Sequence, residues 1–461
     1  MSRAMRHPAL LLRCTVAGLF LGAGGAASGS EAGEDEALSQ LQAAYARVVV
    51  PGDEADQHRD LLATALRRIK RSHATEVDLA ALSVTATKVV EPLPPAAGEP
   101  AEVFKKTMVE VLRTLDPQSR YIDPPSYDNQ RAESSGGFGG LGMEVQAGEG
   151  AVRVVAPMPG GPAERAGIVS GDLIVRVDGQ SLGGVALADA IAKMRGAPGT
   201  PVSITIQRAG ADEFTVSLTR DIIRRQLLRW SFEGEALVLK LSSFSGAVET
   251  AVAQAVAEAT AKAQPKAVVL DLRGNPGGLL REAVKLADAF LAQGEIVSLH
   301  GGASTRQRNW IADPGELLAG VPMVVLVDAR SASASELVAD ALQFNRRATV
   351  MGQRSYGKGS VQTTYSLGEN RGALKLTTSI YHGPSGETVH KVGVGPDVEL
   401  LAPGKSASSA ITPGSVPRQA ARAKVDPARC PALTPVDPEL ACAVAYLRSG
   451  GVDSFLAAVA N

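Results

Sequence analysis

Aromatic residues make up only 4% of this 461-residue chain, which leaves little material for a surface that stacks nucleic-acid bases. An excess of one charge is also missing. Lysine plus arginine number 47 against 48 for aspartate plus glutamate, so no basic field marks a nucleic-acid binder. The six histidines (His7, His58, His73, His300, His382 and His390) show no metal-ligand spacing, and no cofactor is implied. Past the N-terminal stretch, no apolar run reaches the roughly 18 residues a spanning helix needs. Cysteine is rarer still, with Cys14, Cys430 and Cys442 the only three.

What is present suits a globular α/β protein: 45% hydrophobic residues and 48 glycines for tight turns. So long a chain exceeds one ordinary core, and two or three domains are expected. At the N-terminus, Arg3 and Arg6 precede an apolar stretch interrupted by Arg13. The small residues Ala26–Gly29 and an acidic segment from Glu31 follow. That order reads as a secretory signal over residues 1–28, with an uncleaved anchor as the alternative that Arg13 keeps open. The expectation is a periplasmic or otherwise exported protein, with peripheral membrane association and homo-oligomer formation left open. Cys14 leaves with a cleaved signal. Cys430 and Cys442 then remain as an even pair that an oxidising compartment can join, or as two unrelated buried thiols.

Periodicity divides the rest. Residues 29–132 read as a helical region, with apolar spacing such as Leu38-Leu41-Tyr45-Val48 and a proline-rich break at Glu91–Pro95. Residues 133–222 switch to short strands (Val152–Ala156, Leu173–Val177, Val202–Ile206) with one helix around Leu187–Met194. Over 223–402 strands alternate with helices, which argues a largely parallel sheet covered by helices. Residues 403–461 read as a Pro/Ser/Ala-rich linker and a short helical C-terminal segment.

Chemistry concentrates in two segments. Ser331-Ala-Ser333-Ala-Ser335-Glu336 opens a predicted helix after the apolar strand Val321–Val327, where backbone N–H groups are free and the helix dipole is positive. Ser355-Tyr-Gly357-Lys358-Gly359-Ser360-Val361-Gln362 places a lysine between glycines that permit close backbone approach. A serine activated by a neutral lysine is a known variant of nucleophilic catalysis that needs neither histidine nor metal. Any of the three serines fits the position. Ser331 can be a mere N-cap and Ser335 can simply begin the first turn.

Both segments resemble the active-site blocks of the carboxyl-terminal processing (tail-specific) peptidases. Leu115–Tyr121, Gly139–Met143, Gly160–Gly167, Asp271–Gly278 and Gly383–Gly386 resemble further blocks of that family in the same order, so the resemblance covers roughly residues 35–400. It implies a crotonase-like αβ protease core with an inserted PDZ-like domain over 133–222 and a helical N-terminal region. It aligns the nucleophile with Ser333, the base with Lys358 and an assisting amide with Gln362. Oxyanion donors fall on the N–H groups of Ala334 and Gly277, with Gly278 close behind. Gly140, Leu141, Gly142 and Met143 match the loop that holds a peptide's terminal carboxylate while the peptide adds as a strand. The implied partners are protein or peptide substrates with free C-termini.

Other patterns carry less. Gly179-Gln-Ser181-Leu-Gly183 mimics a nucleophile elbow but reads as an ordinary turn after a strand. Gly352–Lys358 resembles a phosphate loop, yet Gly359 stands where a magnesium-binding Ser or Thr is needed, which disfavours a nucleotide hydrolase. A non-catalytic PDZ scaffold that retains the protease fold is the remaining alternative; the joint presence of serine, lysine and glutamine argues against it.

Overall fold

The computed structural model describes residues 25–134, 138–148, 150–223, 227–301, 307–401, 421, 423–432 and 437–460. The segment read as a secretory signal lies outside these, apart from its last residues, which start the helix Gly25–Val48. So does most of the linker. Among the described residues no helix is long and apolar enough to cross a membrane, and no cluster of His, Cys, Asp or Glu could hold a metal ion.

The chain forms two compact units. The first comprises residues up to Leu66 together with Asp78–Val111. Its helices bury the apolar positions that the 3.6-residue period marks, among them Leu41, Tyr45, Leu62, Ala86 and Met108, each fully buried. Asp78 caps the helix Leu79–Val90 by accepting from the N–H of Ala80, and the helix Pro100–Arg113 follows the proline-rich break.

The second unit, Arg67–Val77 with Leu112–Asn461, contains everything else. Its centre is a seven-stranded sheet in the order Leu228–Glu233, Ala236–Leu241, Ala267–Asp271, Met323–Val327, Thr349–Gly352, Val398–Leu400 and Ala423–Val425. The first pair is antiparallel and all the others are parallel. The helices Val248–Lys262, Leu280–Ala289 and Ala334–Phe344 pack one face, where Leu239, Leu270, Val325 and Val350 meet them. The helices Pro438–Ser449 and Val452–Ala460 cover the other, against Val269, Val324, Leu326 and Met351. Burial on both faces explains why Met323–Val327 is wholly apolar rather than alternating.

A five-stranded antiparallel sheet stands beside this core, with Ala373–His382 pairing Ser360–Ser366, Glu295–Gly301 and Arg120–Ile122. Its first strand comes from the stretch read as helical, because only three residues, Arg120–Ile122, are extended there and so short a run has no visible period. Residues 143–219 form a six-stranded antiparallel sheet with the helices Pro162–Arg165 and Leu187–Met194 around a core of Val154, Ile174, Ile204 and Ile206. Phe138–Gly140 pairs with Asp221–Ile223, so entry and exit lie side by side, as an inserted domain requires.

Candidate active site

The strand Met323–Val327 ends in a turn that Asp328 organises. Its carboxylate accepts from the N–H groups of Gly274, Arg330 and Ser331. Ser331 is fully buried and donates its hydroxyl to Leu272 O at 2.8 Å. Ser335 is equally buried and donates to Asn275 O at 3.0 Å. Both hydroxyls therefore tie the turn to the Asp271–Gly278 segment. Ser333 alone of the three is partly open to solvent. Its backbone is at φ 56°, ψ −113°, a conformation a non-glycine residue adopts only when its surroundings over-determine it. Tyr381 supplies one constraint, donating its hydroxyl to Ser333 O at 3.0 Å.

Glu336 supplies the rest. Its fully buried carboxylate accepts from Ser333 N at 2.7 Å, Lys358 N at 2.8 Å, Gly357 N at 2.6 Å and Ser355 Oγ at 2.5 Å. One side chain thus fixes the backbone of both Ser333 and Lys358. Sequence reasoning gave Glu336 no role. The signal for it was Ser333-Ala-Ser-Glu336, a serine followed three residues later by glutamate at a helix start. The lysine-bearing strap lies against residues 389–393, with Lys391 N donating to Gly357 O. A Cβ at Gly359 would sit 2.6 Å from His390 N, and one at Gly357 would sit 3.0 Å from Val392 N, so the flanking glycines permit contacts no side chain would allow. Lys358 is half-buried. Burial lowers its pKa below the usual lysine value, the Arg120 guanidinium lowers it further, and Glu336 opposes both.

Gln362 is placed differently from the expectation. Its amide N–H donates to Ser360 Oγ at 2.9 Å and lies 3.4 Å from Thr377 Oγ1, and no hydrogen bond joins it to Lys358. The strand begins only at Ser360, and a register shift between Val361 and Gln362 breaks the alternation that would have put residues 358 and 362 on one face. Behind it, Thr377 Oγ1 donates to Asp116 Oδ1, and Asp116 also contacts His73 Nε2 at 3.0 Å and accepts from Ser119.

The glycine segment requires a second correction. Gly277 abuts the serine: a Cβ there would lie 2.9 Å from Ser333 Cβ and 2.6 Å from Ala332 O. Its N–H, however, is already donated to Asn275 Oδ1 at 2.9 Å. Asn275 was not anticipated, and nothing in a lone asparagine within a turn announces it. Gly278 N and Ala334 N have no partner among the described residues. Gly278 must be glycine because its φ is 153° and a Cβ would meet Phe244 O at 2.2 Å.

In the inserted domain, Leu141 and Gly142 join Phe138–Gly140 to the strand Met143–Gly148, which among the described residues pairs on one side only, with Ala151–Pro157. Leu141 is buried in the domain core and Met143 packs against it. The N–H groups of Leu141 and Gly142 have no partner among the described residues, and a strand edge lies open beside them.

This is the layout of a serine peptidase that carries a PDZ domain. The sequence pattern of peptidase family S41 matches residues 235–400, and that of a PDZ domain matches 153–208. A carboxy-terminal-processing protease of Bartonella bacilliformis is 42% identical over 297 residues, which are 64% of this chain and 68% of that one. A probable CtpA-like serine protease of Staphylococcus aureus is 36% identical over 301 residues, covering 64% of this chain and 59% of that relative's length. The solved photosystem II D1 C-terminal processing protease is 27% identical, with 76% of this chain and 93% of that one aligned at a TM-score of 0.49. The chain belongs to peptidase family S41, the serine-type carboxy-terminal-processing proteases.

Proposed function

We propose that this protein is an exported endopeptidase in which Ser333 is the nucleophile, Lys358 the general base, and the N–H groups of Ala334 and Gly278 the oxyanion donors. The observation that carries this reading is the division of labour among the three serines. Two hydroxyls are engaged with buried carbonyls, and the third belongs to Ser333, whose backbone N–H is held by Glu336 beside the strap that bears the lysine. Neutral Lys358 takes the Ser333 proton as Oγ attacks the scissile carbonyl, and the two free amides stabilise the charge that develops on its oxygen. Collapse breaks the C–N bond, and the leaving amine takes the proton back from the lysine ammonium. Water then attacks the acyl-enzyme by the same proton route. Gln362 acts on the strap through Ser360, whose hydroxyl accepts from its amide N–H.

Export is supported by the N-terminal sequence pattern and by the Cys430–Cys442 bond, since structural disulfides belong to oxidising compartments. The loop Gly140–Met143, with its open strand edge, supports substrates read by their free C-termini. Digestion of casein or of a tail-bearing peptide tests the site. Ser333→Ala should lose about a thousandfold or more in kcat because nucleophile and base act as a unit. Ser331→Ala and Ser335→Ala should still cleave, with stability lowered by about 1 kcal/mol for each lost hydrogen bond. An active Ser333→Ala alongside a dead Ser331→Ala would overturn the assignment.

A further inference from the structure

The family's sequence pattern stops at residue 400, but the chain returns to the core after it. Ala423–Val425 adds as a seventh strand beside Val398–Leu400, and the two last helices cover the sheet face opposite the Ser333 helix. Cys430 and Cys442 are bonded, with Cα atoms 5.1 Å apart, so the segment between them is a closed loop. Asp437 lies in that loop. It caps the helix Pro438–Ser449 by accepting from Leu440 N at 3.0 Å, and Glu439 sits in the first turn.

Both carboxylates reach Arg273, which follows the strand Ala267–Asp271 and immediately precedes Gly274. Asp437 holds the guanidinium in a fork, at 2.9 Å to Nη1 and 2.7 Å to Nη2, and Glu439 accepts from Nη1 at 2.9 Å. Asp271 takes Nε and Nη2 at 2.8 Å each. All five N–H groups of the guanidinium thus have acceptors, two of the three carboxylates coming from beyond the family's boundary. The Arg273 side chain is only 11% exposed, so a guanidinium stripped of partners would be an uncompensated buried charge.

We propose that Asp437 and Glu439 are positioning residues for the peptidase site. Through Arg273 they hold the Gly274–Gly278 segment where its free amide faces Ser333, and the Cys430–Cys442 bond makes that hold sensitive to redox state. The inference rests on the reading of Gly278 N–H as an oxyanion donor. Losing the two carboxylates leaves Arg273 with Asp271 alone and favours its turning toward water, and Gly274 is the next residue along the backbone. A donor misplaced by about 1 Å can cost up to about a hundredfold in rate.

The test uses full-length oxidised protein and a peptide with a free C-terminal tail. In Asp437→Asn/Glu439→Ala the helix start stays capped, because asparagine caps as well as aspartate. Its kcat should fall about tenfold or more, with KM within about twofold and the thermal melt still cooperative. A folded double variant with wild-type kcat overturns the proposal. If that variant fails to fold, Glu439→Ala alone carries the test and should show a smaller loss of kcat at unchanged KM; no loss there overturns it equally. Dithiothreitol should lower wild-type kcat reversibly and add nothing in the variant. Verified reduction without loss removes the redox dependence, and an equal loss in the variant shows that the disulfide acts elsewhere. Retention of cleavage by Ser333→Ala would instead sink the site reading itself, whatever Asp437 does.

Discussion

A serine hydroxyl that already donates to a buried carbonyl is a poor nucleophile, and two of the three serines at this helix start are in that state. The sequence located the cluster; the choice within it came from family resemblance, because residue type and spacing are the same for all three. Glu336 went unread because a glutamate at that offset looks like a helix cap, and its bonds to residues 355–358 are visible only in three dimensions. The lysine carries a pH prediction. Only the free amine can accept the serine proton, so kcat should fall as pH drops through the Lys358 pKa, which lies below the usual lysine value. Lys375 is brought to about 8 by burial and by the nearby cations Arg120 and Lys358. Arg120→Gln removes one repelling cation and should move the limb to higher pH in a kcat profile. A limb that stays in place or moves down would show that Arg120 does not act on the lysine.

Among elements, those with a strong period or a continuous apolar run were legible. Val321–Val327 appears as the strand Met323–Val327, because burial on both sheet faces writes itself into an unbroken apolar run. Of the second sheet, only the strand-like alternation that follows Gly359 was legible. Its strand Ser360–Ser366 is polar and half-buried, with a register shift at Val361/Gln362, and its edge strand is three residues long. Asp116 anchors that sheet to the segment around His73. Burial alone would raise its pKa, but hydrogen bonds from Ser119, His73, Gln118 and Thr377 prevail and bring it to about 2. A carboxylate depressed on folding stabilises the fold fully above its ordinary value of 3.8, and that contribution is lost as pH falls toward 2. Asp116→Asn should therefore be less stable than wild type at neutral pH, and the gap should narrow below pH 3.8 in denaturant titrations. A gap of constant size through that window would mean the carboxylate charge contributes nothing.

For the whole molecule, the chain joins a domain with an open strand edge, a peptidase core and a C-terminal segment that a disulfide closes on itself and an arginine cluster ties to the core. The pairing of Cys430 with Cys442 could be read only as a possibility, since connectivity depends on where the chain returns. The loop Gly140–Met143 carries a prediction at this scale. Its free amides favour a carboxylate, and the apolar Leu141 and Met143 favour an apolar last residue. Below saturation, a substrate ending in Ala or Val as the free acid should be cleaved faster than its amidated twin; equal rates would show that the domain does not read tails. The central claim, that Ser333 is the nucleophile and Lys358 its base, has a more direct measurement. The intact protein is treated with a fluorophosphonate and the adduct is located by peptide mass mapping. One phosphonyl group on Ser333, lost in Lys358→Ala, is the predicted result; an adduct on Ser331, Ser335 or any other serine, or labelling undiminished in Lys358→Ala, would contradict it.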